Sequence, residues 1–180
     1  MIDNLRVATW SHSSYNDIWA AYYGQYEQHA SFLKHALILN HNEEHKPNFC
    51  DVIYNNENEL FYKRFVESLD KIKEDNIINS HEDHVLYDNV KEENIESLNN
   101  FLNNSKYDFI RLIKSGVEGG KKIQNELNIY EIPQVCGEHR GGIYSLIKSS
   151  EIFPAGTSSQ PYIFSFQCAI WKLSLIHISE

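Results

Sequence analysis

Four ionisable side chains lie next to one another in the middle of the chain, in the run His81-Glu82-Asp83-His84. The apolar pair Ile77 and Ile78 comes just before them, which predicts a buried strand that ends in carboxylates. In open α/β sheets ligands bind in the crevice outside the carboxyl ends of the strands, so this run is the first candidate for a functional site. The alternative is a plain turn or a helix cap, where Glu and Asp are also common.

Two clusters of histidines could instead bind a transition metal. The pair in the run just described would need further ligands, which the sequence does not identify. The segment His41-Asn42-Glu43-Glu44-His45 fits the H-x-x-E-H pattern of inverted zinc proteases, in which both histidines bind zinc and the glutamate acts as a base. A zinc hydrolase built on His41, Glu44 and His45 requires a helix through residues 38–46. A proline follows at once and the preceding run is strand-like, so this alternative is less favoured.

Hydrophobic periodicity predicts the elements that position these residues. The predicted strands are Leu5–Trp10, Phe32–Asn40, Asp51–Tyr54, the run before Glu82, and Tyr107–Ile113. The predicted helices are Ile18–His29, capped by Asn16 or Asp17, Leu60–Ile72, with Leu60, Phe61, Phe65, Leu69 and Ile72 on one face, and Glu92–Asn103. A strand followed by a helix at the amino terminus indicates a parallel α/β sheet.

The carboxyl-terminal part of the chain gives weaker signals. The Gly- and Lys-rich stretch Gly116–Lys122 lacks the spacing of a phosphate-binding loop and is predicted to be a surface loop. The run Ile143–Phe153 fits no single element, and Gly156–Gln160 is predicted to be a loop. The segment Pro161–Lys172 is rich in aromatic residues and is the second informative stretch of the sequence.

Composition restricts the classes of function. The chain has 180 residues and a formal charge of -9 without any Lys/Arg block, which predicts one domain and argues against nucleic-acid binding. An anionic small molecule would need a local site or a metal ion, because the overall field repels it. We find neither an apolar run long enough to span a membrane nor a secretory signal, and Cys50, Cys136 and Cys168 are far apart. We therefore expect a cytoplasmic protein in a reducing compartment.

The last eight residues, Leu173–Glu180 (LSLIHISE), match the translation of a common sequencing adapter. We interpret them as a tail that is not part of the natural protein and exclude them from fold reasoning. The alternative is a genuine apolar strand, which the alternation of the residues would permit. The expected natural portion is then a single domain, residues 1–172, cut short at its carboxyl end.

Three stretches, in order, resemble a known family. They are Glu82-Asp83-His84-Val85-Leu86 at the end of a strand, the strand Phe109–Leu112 (F-I-R-L), and Tyr162–Trp171 (Y-x-F-S-x-Q-x-x-I-W). The arrangement is similar to that of glycosyltransferase-like proteins of bacteria, phages and large viruses, whose members carry a strand ending in E-D-Y/W-x-L and a later S-L-Q-x-x-I-W segment. The resemblance spans roughly residues 5–172 and implies a nucleotide-diphospho-sugar transferase fold of the GT-A type, with an open, mostly parallel, Rossmann-like sheet flanked by helices.

The sequence departs from the family pattern in three places. Asn79 and Ser80 replace apolar residues of the strand, and His84 replaces the aromatic residue after Asp83. A segment of the W-E/Q-x-E type, which follows in family members, is missing beyond Lys172. We therefore expect transferase activity of the full-length protein and reduced or no activity of the present chain.

The resemblance also implies roles for individual residues. A sugar moves from a nucleotide-diphosphate donor to a glycan or other acceptor, with a divalent cation, Mn²⁺ or Mg²⁺, bridging the phosphates. The expected cation ligand is Asp83, with Glu82 beside it or on the acceptor side, and both form the expected catalytic pair. The remaining expected substrate contacts are Thr9 and Ser11 toward the nucleotide, Arg111 toward a phosphate, and Gln167 and Trp171 toward a sugar.

Two alternatives remain for this set of residues. The same crevice would serve a non-catalytic module that binds carbohydrate or protein, or a degenerate remnant of an enzyme. Arg111 could equally form a salt bridge at a strand edge, and Trp171 is more simply explained by core packing.

Overall fold

A computed structural model describes residues 2–41, 44, 46–112, 121–127, 129–131 and 168–174, with the backbone alone at 111, 121, 130 and 131. The strands are β1 Leu5–Trp10, β2 Lys34–Asn40, β3 Asp51–Asn55, β4 Asn76–His81, β5 Phe109–Arg111, β6 Lys121–Gln124, β7 Ile129–Glu131 and β8 Ala169–Lys172. The helices are α1 Asn16–Ala30, α2 Phe61–Leu69 and α3 Glu92–Asn103, with a short 3-10 helix at Ser13–Tyr15.

Six of the strands form one mixed sheet in the order β3-β2-β1-β4-β8-β5. Strand β1 pairs in parallel with β2 on one side and with β4 on the other, and β2 pairs in parallel with β3. Strand β8 is antiparallel to both β4 and β5, so β5 runs in the direction of β4. The fold is therefore α/β with a Rossmann-like sheet, as the sequence predicts at this coarse level.

Helices cover both faces of the sheet at β1. The Thr9 hydroxyl lies 2.9 Å from the Tyr22 hydroxyl of α1, whereas the Trp10 ring stacks on Phe65 of α2 with centroids 5.0 Å apart. Because successive side chains of a strand point to opposite faces, α1 and α2 lie on opposite sides of the sheet. Helix α3 contributes to the same buried cluster as α1.

Burial on both faces explains the composition of the central strands. Every residue of β1 except Arg6 is buried, and so is every residue of β4 except His81. A strand covered on both faces becomes a nearly continuous apolar run, which is the pattern that predicted β1. In β4 the polar residues Asn76, Asn79 and Ser80 are also buried, and this is why the apolar pattern there was short.

The chain forms two compact units, one of residues 1–112 with 167–180 and one of residues 113–166. The six-stranded sheet lies in the first. The described part of the second is a hairpin in which β6 pairs antiparallel with β7, with Lys121 opposite Glu131. Two of the residues predicted to lie in a surface loop, Lys121 and Lys122, thus belong to a strand, whereas the preceding glycines lie outside the described residues.

Most predicted elements of the first unit are confirmed, with shifted ends. The predicted bounds of β1 and α3 are those observed. Helix α1 begins at Asn16, so Asn16 and Asp17 lie in its first turn and the predicted cap is wrong; its N-cap residue is Tyr15, without a side-chain hydrogen bond. Helix α2 is shorter than predicted, and Leu60, expected on its buried face, is 65% exposed.

The helices and cysteines of the described residues give two further findings. Among them, no helix combines the length and the apolar composition that crossing a bilayer requires. Cys50 and Cys168 carry free thiols, and Cys136 lies outside the described residues. At the carboxyl end Leu173 is buried, and its N–H donates to the Asp75 carbonyl at 2.9 Å. Residues 175–180 of the expected tail also lie outside the described part.

Acid lability is expected from a buried histidine of β2. The His35 ring lies against the rings of Tyr23 and Tyr26, with centroids 5.5 and 4.4 Å away. Burial, and secondarily the charge of Arg6, lowers the pKa of His35 from 6.5 to about 4. The unfolded chain therefore binds more protons than the folded chain between these values, and stability falls as the pH falls through this window. The full difference amounts to at most about 3 kcal/mol.

The His35→Leu variant removes this titration and keeps an apolar side chain in the site. We expect its free energy of unfolding, measured by urea titration, to fall less between pH 7 and pH 4.5 than that of the wild type. The matched control is His41→Leu, because His41 is exposed. An unchanged pH dependence in His35→Leu would show that other groups cause the acid lability.

Candidate functional site

The strand order of the sheet reverses between β1 and β4. Strands β2 and β3 continue from β1 on one side, and the chain then crosses to β4 on the other side. In open α/β sheets, ligands bind in the crevice outside the carboxyl ends of the strands at such a reversal. The residues that follow β1 and β4, Ser11 and Glu82 onward, therefore line the candidate site.

The acidic pair lies in a tight turn at this edge. The N–H of His84 donates to the carbonyl of His81 at 3.0 Å, so Glu82 and Asp83 are the two central residues of the turn. The His84 Nδ1 accepts from the N–H of His81 at 3.3 Å, which leaves its Nε2 to carry a proton toward Asp83, 3.8 Å away. The Asp83 side chain is 80% exposed and points its charge to solvent.

Glu82 lies in a different environment from its neighbour. One of its oxygens, Oε2, is shielded from solvent and accepts no hydrogen bond from the residues that the structure describes. Burial raises the pKa of the Glu82 carboxyl, and the negative charge of Asp83 adds to this, whereas a hydrogen bond from Ser11 opposes it. The two carboxylates thus differ: the Asp83 side chain is exposed to solvent, whereas the half-buried Glu82 carboxyl retains its proton to higher pH than usual.

Ser11 joins three elements at the site. The indole N–H of Trp19 in α1 donates to Ser11 Oγ at 2.9 Å, so the serine hydroxyl is free to donate its own proton to Glu82. The Ser11 N–H also donates to the Ile38 carbonyl at 3.0 Å, which continues the pairing of β1 with β2. The contacts with Trp19 and Ile38 fix the loop after β1 against α1 and β2.

A buried tyrosine links the same two strands below the crevice. The Tyr22 hydroxyl lies 2.9 Å from Thr9 Oγ1 of β1 and 3.0 Å from Ser80 Oγ of β4. Tyr22 is 1% exposed, and both hydroxyl partners are fully buried. Burial raises the pKa of Tyr22, so its hydroxyl keeps the proton that this bridge needs.

A second polar cluster lies at the ends of β1, β2 and β3. Asn40 accepts from the N–H of Ser13 at 2.8 Å and donates to Glu57 Oε2 at 3.2 Å. The His12 Nε2 also approaches Glu57 Oε2, at 3.4 Å. Since His12 Nδ1 accepts from the N–H of Ser14, its Nε2 carries the proton and donates to the carboxylate.

The fitness of the site for a divalent cation depends on its carboxylates. Among the described residues, no group of three or more His, Cys, Asp or Glu side chains is arranged to hold a metal. Mg²⁺ is commonly held by one or two carboxylates, with substrate phosphates and water completing its shell. Asp83 and Glu82 fit that arrangement and do not fit a metal site made wholly of protein ligands.

The zinc hypothesis built on His41 and His45 is wrong, because it requires a helix through residues 38–46 that the structure does not contain. Strand β2 continues to Asn40, so residues 38–40 are extended and no helix spans 38–46. The His41 ring instead meets Tyr54 edge to face, with centroids 5.3 Å apart. His45 lies outside the described residues.

Of the other expected substrate contacts, the structure describes the side chains of Thr9 and Trp171, and both are buried. Thr9 is fully buried, and its hydroxyl is engaged by Tyr22. Trp171 is 7% exposed and stacks on Phe109 with centroids 4.3 Å apart, which favours the packing interpretation left open above. Arg111 pairs with Ala169 through its backbone, its side chain lies outside the described residues, and so does Gln167.

Several residues of the site were not predicted from the sequence. Trp19 and Tyr22 lie within the predicted helix Ile18–His29, Asn40 ends a predicted strand, and Glu57 lies between a predicted strand and a predicted helix. For Asn40 and Glu57 the sequence offers one signal of a site, which is their position at the carboxyl ends of predicted parallel strands that share an edge of the sheet. Helical periodicity cannot distinguish a tyrosine that packs from one that also bridges two strands.

Comparison with family models, with curated proteins and with solved structures gives no match to this chain. The candidate site therefore rests on its own geometry.

The Tyr22 bridge is expected to stabilise the fold. The Tyr22→Phe variant leaves the hydroxyls of Thr9 and Ser80 buried without their shared partner, so we expect a loss of about 1–2 kcal/mol in the free energy of unfolding. The matched control is Tyr54→Phe, because the Tyr54 hydroxyl is buried and makes no hydrogen bond with any described residue. Chemical denaturation measures both. Equal stability of the two variants would contradict the bridge.

The Ser11 hydrogen bond is expected to tune Glu82. In Ser11→Ala the bond that favours the charged carboxylate is lost, so the pKa of Glu82 should rise above its wild-type value. Carboxyl NMR titration of Glu82 measures this shift, and Ser14→Ala, which alters a serine bonded to His12 and not to Glu82, is the control. A fall in the Glu82 pKa in Ser11→Ala would refute the assignment.

Proposed function

We propose that this chain binds a nucleotide-diphospho-sugar in the crevice between β1 and β4 and belongs to an enzyme that transfers the sugar to a glycan or other acceptor. The observation that carries the proposal is the turn of Glu82 and Asp83 directly after β4, at the point where the strand order reverses. The open sheet, with five strands in one direction and β8 antiparallel, supports a GT-A-type fold as its finer description.

Charge explains why an acidic pair would serve an anionic donor. The chain has a formal charge of -9, so a diphosphate is repelled by the overall field and needs a local cation. Asp83, exposed and charged, would hold Mn²⁺ or Mg²⁺, with the phosphate oxygens of the donor as further ligands. A cation bound there would neutralise charge on the diphosphate leaving group.

Glu82 is suited to a different role. Its raised pKa and its hydrogen bond to Ser11 place a carboxyl group of adjustable protonation beside the crevice. Such a group can accept a proton from an acceptor hydroxyl as the sugar is transferred. Ser11 and Trp19 orient it, because the indole N–H directs the serine proton toward the carboxylate.

The alternative from another class is a carbohydrate- or protein-binding module that uses the same crevice without catalysis. It would bind glycan or protein whether or not a nucleotide and a metal are present. Metal-dependent binding of the nucleotide therefore distinguishes the two hypotheses.

Nucleotide binding tests the proposal directly. We expect the 180-residue chain to bind nucleoside diphosphates and their sugars in the presence of Mn²⁺, measured by isothermal titration calorimetry. In Asp83→Ala the affinity should fall roughly tenfold or more, because a contact with a charged group contributes about 1.5–3 kcal/mol.

The control for this experiment is Asp3→Ala. It removes the same charge from a 93%-exposed side chain that precedes β1 and thus lies at the opposite edge of the sheet. The proposal fails if the folded wild type binds no nucleotide with Mn²⁺, or if both variants weaken binding equally.

A further inference from the structure

A polar cleft lies beside the crevice, next to the edge strand β3. It has a volume of about 520 Å³ and is lined by the end of β3, the turn after it and one face of α2. The residues that matter here are Tyr54, Asn55, Asn56, Glu57 and His41. The role proposed for the acidic turn, which lies at the end of β4, does not involve this cleft.

Glu57 connects the cleft to the crevice. Its Oε2 is held by Asn40 at the end of β2 and by His12 in the loop after β1, while its side chain lines the cleft. Neighbouring strands lie about 4.8 Å apart, so β3 and β4, which are three strand spacings apart in the sheet, are separated by roughly 14 Å. An extended nucleoside diphosphate covers a distance of this order between its base and its terminal phosphate.

We propose that this cleft receives a guanine base and that Glu57 recognises it; the inference rests on the proposed nucleotide-sugar site. A carboxylate only accepts hydrogen bonds, and it has room for about four. Two are taken at Oε2, and no contact among the described residues uses Oε1. The adjacent, parallel N1–H and N2–H donors of guanine match the two oxygens of one carboxylate, so guanine takes Oε1 and displaces the long, 3.4 Å contact of His12 Nε2 from Oε2.

Other bases fit this carboxylate less well. Uracil offers a single N–H between two carbonyl oxygens, which a carboxylate repels. Adenine and cytosine offer an amino group beside a ring-nitrogen acceptor, so only one of two positions is satisfied. A site built to bond a given donor discriminates strongly against a base that lacks it, because its own polar group is then left unpaired.

The rest of the cleft is compatible with a purine. The rings of His41 and Tyr54 both line the cleft and meet edge to face at 71°, so one of them can offer its face for stacking with a base. The side-chain amide of Asn56 can donate to the O6 or N7 acceptors of guanine. Asn40 holds Glu57 in place before binding, so little side-chain freedom is lost on recognition.

The test compares GDP, IDP, UDP, CDP and ADP at fixed Mn²⁺ with the 180-residue chain, by isothermal titration calorimetry. These ligands share the diphosphate and differ only in the nucleoside. We expect GDP to bind roughly 10- to 100-fold more tightly than the pyrimidine and adenine nucleotides, and IDP, which lacks only the N2 amino group, to bind roughly tenfold more weakly than GDP. The GDP preference should be lost in Glu57→Gln. Glu59→Gln, which alters a carboxylate paired with Lys63, should keep it.

The outcomes separate this inference from the proposed function. If UDP, CDP or ADP binds as tightly as GDP, or IDP binds as tightly as GDP, the guanine assignment is overturned and the nucleotide site stands. If GDP is preferred but Glu57→Gln binds it like the wild type, another residue reads the base. If the folded chain binds no nucleoside diphosphate, both proposals fail. The IDP comparison needs no variant and decides the question even if Glu57→Gln does not fold.

Discussion

The parallel pairing of β1 with both β2 and β4 is the constraint on which the rest of the structure depends. A strand with parallel partners on both sides and covered on both faces must bury nearly all its side chains, as β1 does. The same pairing brings the ends of β1 and β4 together at the reversal of strand order. Tyr22 reinforces it from α1, because one hydroxyl contacts both strands.

The polar groups above this frame are arranged in two clusters at one edge of the sheet. The turn after β4 carries Asp83, which faces solvent, and Glu82, which is half-buried and bonded to Ser11. The cluster at β2 and β3 is centred on Glu57 and held by Asn40 and His12. An exposed carboxylate is suited to a cation, and a fixed carboxylate beside a cleft is suited to a base, so the two clusters can serve opposite ends of one nucleotide.

The strands and helices of the first unit follow from local sequence patterns, so they could be predicted from the sequence. Leu5–Trp10 and Glu92–Asn103 were predicted with their observed bounds. A strand that is buried along its length and a helix with apolar residues at helical spacing each give a recognisable pattern in the sequence. The cap at Asn16 was wrong because a 3-10 turn, capped by His12, precedes the helix and sets its start at that residue. Leu60 was assigned to a buried face because it fits the helical period, but it lies before the helix begins. The zinc hypothesis failed for a related reason: H-x-x-E-H is a pattern of spacing, and its chemistry requires a helix where β2 is extended.

The sequence by itself determined that the chain is an acidic α/β protein with a buried strand ending in Glu82 and Asp83. Hydrophobic period and charge are properties of neighbouring residues, and both can be read along the chain. Only the tertiary structure decided which strands are adjacent, that Ser11 interacts with both Trp19 and Glu82, and that Asn40 and His12 hold Glu57. These contacts join residues between 8 and 71 positions apart, and their free energy depends on burial and orientation, which arise when the sheet assembles.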